Sequence, residues 1–285
     1  MRIALDAMGG DFAPGPIVAG AIQAIAVDSD ITIVLVGDRA QIEPLLPAQY
    51  ERIEILHATQ VVGMNESPVD ALRSKPDNSI TRSWQLLVGK KVDAMVGAGN
   101  TGAVVAGGLL SRRFLKGVRR PGIATVMPTA KGPCVIIDVG ANVHPRASHL
   151  YQYGVMGSIF ARHILGKEKA TVGLMNVGEE AGKGHDLAVE AYAMLKAGLK
   201  ERFVGNIEGR DIHRGAVDVI VTDGFVGNVV LKLSEGVFEF IMNTVAQEIV
   251  APLPNDRAQG MKAFKELVSR YDYSTFGGAP LLGVD

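Results

Sequence analysis

Gly97, Gly99 and Gly102 spell GxGxxG between a short apolar run and a helix-length stretch. A glycine loop of this kind lets backbone N–H groups approach an anion, and the helix start that follows adds its positive dipole. A dinucleotide site would also need a carboxylate about 20 positions on, to hold a ribose hydroxyl. No Asp or Glu lies between Asp93 and Asp138, whereas Arg112, Arg113, Lys116, Arg119, Arg120 and Lys131 do. The loop therefore reads as a cradle for phosphate or an oxyanion, with Asn100 and Thr101 as side-chain donors. A phosphorylated cofactor or a large acidic partner would also suit the basic interval. Close packing alone is the alternative account of the glycines.

Five further turns carry polar groups: Asp6 with Gly9 and Gly10, Asp138 to Asn142, Asn176 to Glu180, Asn206 to Arg210, and Asp223 to Asn228. Each could merely satisfy local backbone groups. If the strands run parallel, their ends share an edge, and all six turns are expected to converge on one crevice. Lys183 follows Glu179 and Glu180 and either pairs with them or points into the crevice to hold an anion. His149, beside Gln152 at a helix opening, is a candidate proton donor or a cap.

Nucleophiles and metals find less support. Cys134 sits within PCVIID, where an apolar setting raises a thiol's pKa and leaves it inert. There is no G-x-S-x-G elbow, no HExxH or CxxC spacing and no P-loop around Gly182 and Lys183. Asp138, Asp223 and Glu179 leave room only for a loose magnesium site, so neither metal nor cofactor is expected.

The elements that must position these groups follow from pattern. The runs RIALDAMGG, ITIVLVGD, VDAMVGAGNTG, PCVIIDVGAN, ATVGLMNVGEE and VDVIVTDGFVGN are strand-length and rich in Val and Ile. Helix-length segments lie between them: residues 16–26, 102–114, 150–165, 186–199 and 227–250. The alternation predicts a three-layer α/β/α protein with a largely parallel sheet. No repeat or linker is visible, so residues 1–285 read as a single α/β domain. Residues 234–270 read as a helical hairpin. Val237, Ile241, Val245 and Ile249 recur at i, i+4 beside Phe238 and Met242, Pro252 and Pro254 break the helix, and Met261, Phe264, Leu267 and Val268 mark the next.

Composition narrows the class. A net charge of −1 gives no basic surplus for nucleic acid. One cysteine in the chain suits a reducing cytoplasm. Asp6 interrupts the N-terminal apolar run, which argues against a signal peptide. No stretch is apolar and long enough to span a bilayer.

The stretches IALDAMGGDFAP, GAGNTGA, IDVGANV with HLYQYGVMG, NVGEEAGKG, FVGNIEGRDI, DGFVGNVVLKLSEG and YSTFGGAPLLGVD resemble those of the phosphate acyltransferase family of bacterial phospholipid synthesis, PlsX, over essentially the whole chain. The resemblance implies transfer of a fatty acyl group from acyl carrier protein to inorganic phosphate, giving acyl phosphate for a membrane acyltransferase. It also implies a fold similar to phosphotransacetylases and the isocitrate and isopropylmalate dehydrogenases. Homodimers that associate peripherally with the inner face of the cell membrane follow from it too. The family is expected to run on past GGAPLLGVD with a strand, a His-Gly-Ser-type turn and a helix that would wall the crevice, whereas the sequence stops at Asp285.

Attack of phosphate on a thioester needs a held phosphate and fixed donors for the oxyanion. A thiolate leaves with little acid help, so positioning and electrostatics can supply most of the acceleration. Asn100, Thr101, Asn142, Asn176 and Asn228 with the glycine turns match those needs, and Lys183 or Arg210 could offset phosphate charge. Direct attack without an acyl-enzyme is the expected route. The basic run 112–120 would steer an acidic carrier protein. The hairpin would pack in a dimer or dip its tip into the membrane interface. A short-chain phosphotransacetylase using coenzyme A, a decarboxylating dehydrogenase and a non-catalytic membrane scaffold are the rivals.

Overall fold

The computed structural model describes residues 1–250, 257–271 and 277–285. The chain divides into two compact units, Met1–Arg113 with Val284–Asp285, and Phe114–Gly283.

The first unit holds β1 (Arg2–Asp6), α1 (Gly15–Val27), β2 (Thr32–Gly37), α2 (Arg39–Ile42), β3 (Ile53–His57), α3 (Pro68–Ser74), α4 (Ser79–Val88), β4 (Ala94–Gly97) and α5 (Thr101–Ser111). Its sheet is parallel throughout, in the order β3-β2-β1-β4. β2 shows why the run is apolar on both faces. Ile33 and Leu35 pack with Val18 and Ala21 of α1. Val34 and Val36 pack on the opposite face with Ala4, against Leu86 and Leu87 of α4. Successive strand residues alternate between faces, and helices cover both. Trp84, the chain's single tryptophan, is buried in this unit and donates its indole N–H to Val104 O at 3.0 Å. Gly107 leaves the indole its room, since a Cβ there would overlap the ring.

The second unit holds β5 (Gly122–Met127), β6 (Cys134–Ile137), α6 (Ala147–Leu165), β7 (Val172–Met175), α7 (Asp186–Leu199), β8 (Phe203–Ile207), α8 (Gly209–Ile212), β9 (Val219–Val221), α9 (Gly224–Val245), α10 (Arg257–Tyr271) and β10 (Leu281–Leu282). The sheet order is β10-β5-β6-β9-β7-β8. β6, β9, β7 and β8 are parallel, whereas β5 runs antiparallel to both β6 and β10. Val135, Ile137, Val172, Leu174, Val219 and Val221 face Leu150, Tyr153, Ala191 and Leu195 of α6 and α7 in one dry cluster. Ile136 and Ile220 alternate to the other face and are also buried.

The parallel α/β reading holds, and α7 has the bounds read from sequence. The expected convergence of all six turns on one sheet edge does not. The turns after β1 and β4 belong to the first unit's sheet, and the other four to the second's. Each unit closes its own core, so the polar turns divide with the strands that carry them. The long C-terminal helix starts earlier than residue 227, because Asp223 caps it. Residues 246–250 continue it as a π turn. The hairpin's tip, with Pro252 and Pro254, lies outside the described residues. Among the described residues no helix is long and apolar enough to cross a membrane.

Candidate functional site

In the first unit the loops after β1 and β4 touch through their glycines. A Cβ on Gly9 would lie 2.6 Å from Gly99 N, and one on Gly99 would lie 2.8 Å from Gly9 Cα. Gly10, at φ +97°, takes a backbone conformation that side chains rarely adopt. Gly102 packs on Pro68, where a Cβ would approach Cγ to 2.6 Å. Asn100 is buried and committed. Its Oδ1 accepts the Ala103 N–H at 3.0 Å, capping α5, and its Nδ2 reaches Gly63 O, Met64 O and Glu66 O at 3.1–3.3 Å. Asp6 is buried and accepts the Met8 N–H at 3.1 Å. Burial raises its carboxyl pKa, against the bonds from Ser79 and Met8. Thr101 stands exposed at the start of α5.

In the second unit Asp138 is fully buried. Its Oδ1 accepts the N–H groups of Ile123, Gly140 and Ala141, and its Oδ2 accepts those of Asn142. Burial raises its pKa and these donors oppose the rise. Asn142 Nδ2 also lies 2.7 Å from Pro121 O and 2.8 Å from Tyr153 Oη. Both residues therefore fasten the loop that leads to α6. Cys134, buried at the start of β6, is pushed up to about 12 by burial, then by the charge of Asp218. α9 seats against the same loop. Gly224 N–H donates to Asn142 O at 2.9 Å, and Cβ atoms at Gly224 or Gly227 would strike the backbone of Asn142 or Asp138.

The turns after β7, β8 and β9 are also largely spoken for. Asn176 donates from Nδ2 to Lys183 O at 2.9 Å, and its Oδ1 accepts the Val177 N–H. Asn206 donates to Glu180 O at 2.8 Å, while its buried Oδ1 lacks a partner among the described residues. Arg210 pairs with Glu208 at 3.1 Å and approaches Glu179 at 3.9 Å. Asp223 Oδ1 accepts the N–H groups of Phe225 and Val226, both at 2.9 Å. A pocket of about 250 Å³ opens at this edge, with Asn176, Gly184, His185, Thr222, Asp223 and Val226 in its lining. Lys183 and Asn228 are exposed. Among the described residues no cluster of three or more His, Cys, Asp and Glu side chains is placed to hold a metal ion.

The start of α6 differs. His149 Nδ1 accepts the Arg146 N–H at 3.1 Å, which leaves the neutral ring's proton on Nε2, free to donate. Its pKa is lowered by burial and by the charges of Arg120, Arg146 and Arg119. Those three arginines, all exposed, have no carboxylate partner among the described ion pairs. The charges of three cations thus act on one neutral N–H donor at the positive end of a 19-residue helix. Arg146 was not among the residues singled out from sequence; a cation directly before a helix opening is the signal that would have found it.

Three-layer α/β units with polar turns at parallel strand ends define the class. Solved structures with the same fold include a phosphotransacetylase from Streptococcus pyogenes (TM-score 0.61, 15% identity, 84% of this chain and 82% of that one). The EutD phosphotransacetylase from Staphylococcus aureus is another (TM-score 0.58, 16% identity, the same coverage). The family model described as "Fatty acid synthesis protein" matches residues 1–285. The chain is similar to proteins named phosphate acyltransferase from Dictyoglomus turgidum, at 44% identity over 100% of this chain and 86% of that one. It is also similar to that of Desulfitobacterium hafniense, at 47% over 100% and 86%. The chain belongs to this phosphate acyltransferase family, and it is an acyltransferase.

Proposed function

We propose that the protein transfers a fatty acyl group from acyl carrier protein to inorganic phosphate, releasing acyl phosphate for phospholipid synthesis. The observation that carries this reading is the cation cluster at the start of α6. Arg119, Arg120 and Arg146 would hold the phosphate, and the first N–H groups of α6 would add their dipole. The Nε2–H of neutral His149 would donate to the thioester oxygen as it gains charge. A phosphate oxygen attacks the carbonyl carbon, the tetrahedral adduct collapses, and the C–S bond breaks with its electron pair leaving on sulfur. A thiolate is stable enough to depart unprotonated, and the mechanism needs no covalent enzyme intermediate. Buried Cys134, its pKa raised, suits a structural part. Lys183, exposed and without an ion pair among the described residues, would supply further positive charge at the strand ends.

The basic cluster would also draw an acidic carrier protein. Phe225, Val229, Leu233, Val237 and Phe240 form an exposed apolar stripe along α9, which supports packing in a homodimer. Peripheral contact with the inner membrane face, by the hairpin, completes the reading. The direct test is phosphate-dependent loss of acyl carrier protein thioester with acyl phosphate as product. Hydrolysis without acyl phosphate, or turnover confined to acetyl coenzyme A, would reject it.

A further inference from the structure

A second cavity, of about 390 Å³, lies between α9, α10 and the turn after β5. That volume is within the range of small-molecule sites. Its apolar walls come from Met127, Leu231, Phe238, Ile241, Met242 and Leu267. Its polar lining residues are already satisfied. Thr129 Oγ1 donates to Gly132 O at 2.6 Å and accepts the Lys131 N–H. His213 Nδ1 lies 3.3 Å from Pro128 O and Nε2 lies 3.2 Å from Ser234 Oγ, so one tautomer satisfies both contacts. Glu235 pairs with Lys232 at 2.8 Å. With its polar groups tied up, the cavity selects by shape and hydrophobicity. A ligand with polar groups along its length would bury them unpaired, at a cost; a hydrocarbon chain would not.

Position on α9 adds a length. The start of α9 contacts the loop leading to α6. Ser234 stands eleven residues past the Asp223 cap, about 16 Å along the helix. Only a long acyl chain reaches that far from a head at the helix start. We propose that this cavity receives the distal part of the substrate's long hydrocarbon chain. The proposal rests on the fatty acyl reading above and specifies where the chain lies.

The test is binding of cis-parinaric acid, a fluorescent C18 polyene fatty acid, to the full chain. The wild type should bind it and release it to saturated fatty acids, each methylene removed from the competitor weakening it about fourfold (~0.8 kcal/mol). Leu231→Trp and Ile241→Trp, which fill the cavity, should weaken binding at least tenfold. Val27→Trp, exposed on α1 and outside the lining, should not. Turnover of a short-chain thioester should survive in the filled variants, so loss of chain binding alone leaves the enzymatic reading standing. Absence of binding by the wild type, or unchanged binding in both filled variants, would overturn the proposal. So would altered sedimentation with binding intact, which marks an interface between copies. If the filled variants do not fold, a diazirine fatty acid should label Phe238, Met242 or Leu267 of the wild type. Labelling only elsewhere would equally overturn it.

Discussion

The loop into α5 and the approach to α6 both lead from a strand of a parallel set into a helix, yet they use their polar residues in opposite ways. Into α5, Asn100 spends both ends of its amide on the protein, and Gly9 and Gly99 bring two backbones into contact. Into α6, Asp138 and Asn142 do the fastening. That leaves three arginines and a histidine N–H uncommitted at the helix start. A glycine fingerprint can therefore look like a ligand loop and be a joint, while a helix start that lacks GxGxxG holds the free charge.

The largest expected effect would break this contrast outright. Arg119→Ala with Arg120→Ala should lower kcat/KM about 10²–10³-fold, mostly through a higher phosphate KM, with the unfolding midpoint unchanged. An unchanged phosphate KM would move the anion site away from α6. Next, Asn100→Ala should cost roughly 2–3 kcal/mol in denaturant unfolding, because three carbonyls and a cap lose their partner. Wild-type stability with lost turnover would instead make Asn100 catalytic.

That pair of outcomes also measures how much could be read in advance. The strand–helix alternation and α7 follow from Val and Ile runs and from local caps. The antiparallel entry of β5 does not, since GIATVM gives no sign of direction. Asn100 reads as a ligand donor because its acceptors, Gly63, Met64 and Glu66, stand 34–37 residues away in sequence. Likewise the charges of Arg119 and Arg120 come to act on His149 only once β5 and β6 have folded back. Tertiary partners decide which polar residue is spent and which is free, and no local pattern encodes them.

Two smaller effects sharpen the comparison. Gly99→Ala should destabilise by about 1–3 kcal/mol, since the obstructing atoms belong to backbone that cannot rotate away. The same substitution at Gly182, which has open space around it, should be nearly silent in thermal unfolding. The subtlest change concerns acidity. Activity that needs neutral His149 falls as pH drops through its pKa, which burial and then neighbouring cations hold below the ordinary histidine value. Arg120→Gln removes one cation, raises that pKa and moves the acid limb of kcat to higher pH. A limb that stays put would remove His149 from the chemistry.

Trp84 has a practical corollary. Because the only indole of the chain is confined to Met1–Arg113 and enclosed there, its emission is a private signal from that half. Far-ultraviolet dichroism, by contrast, sums over the helices of both halves. Melting the protein while recording both signals would show whether the halves come apart together or in sequence. No label is needed, because evolution has already placed the dye.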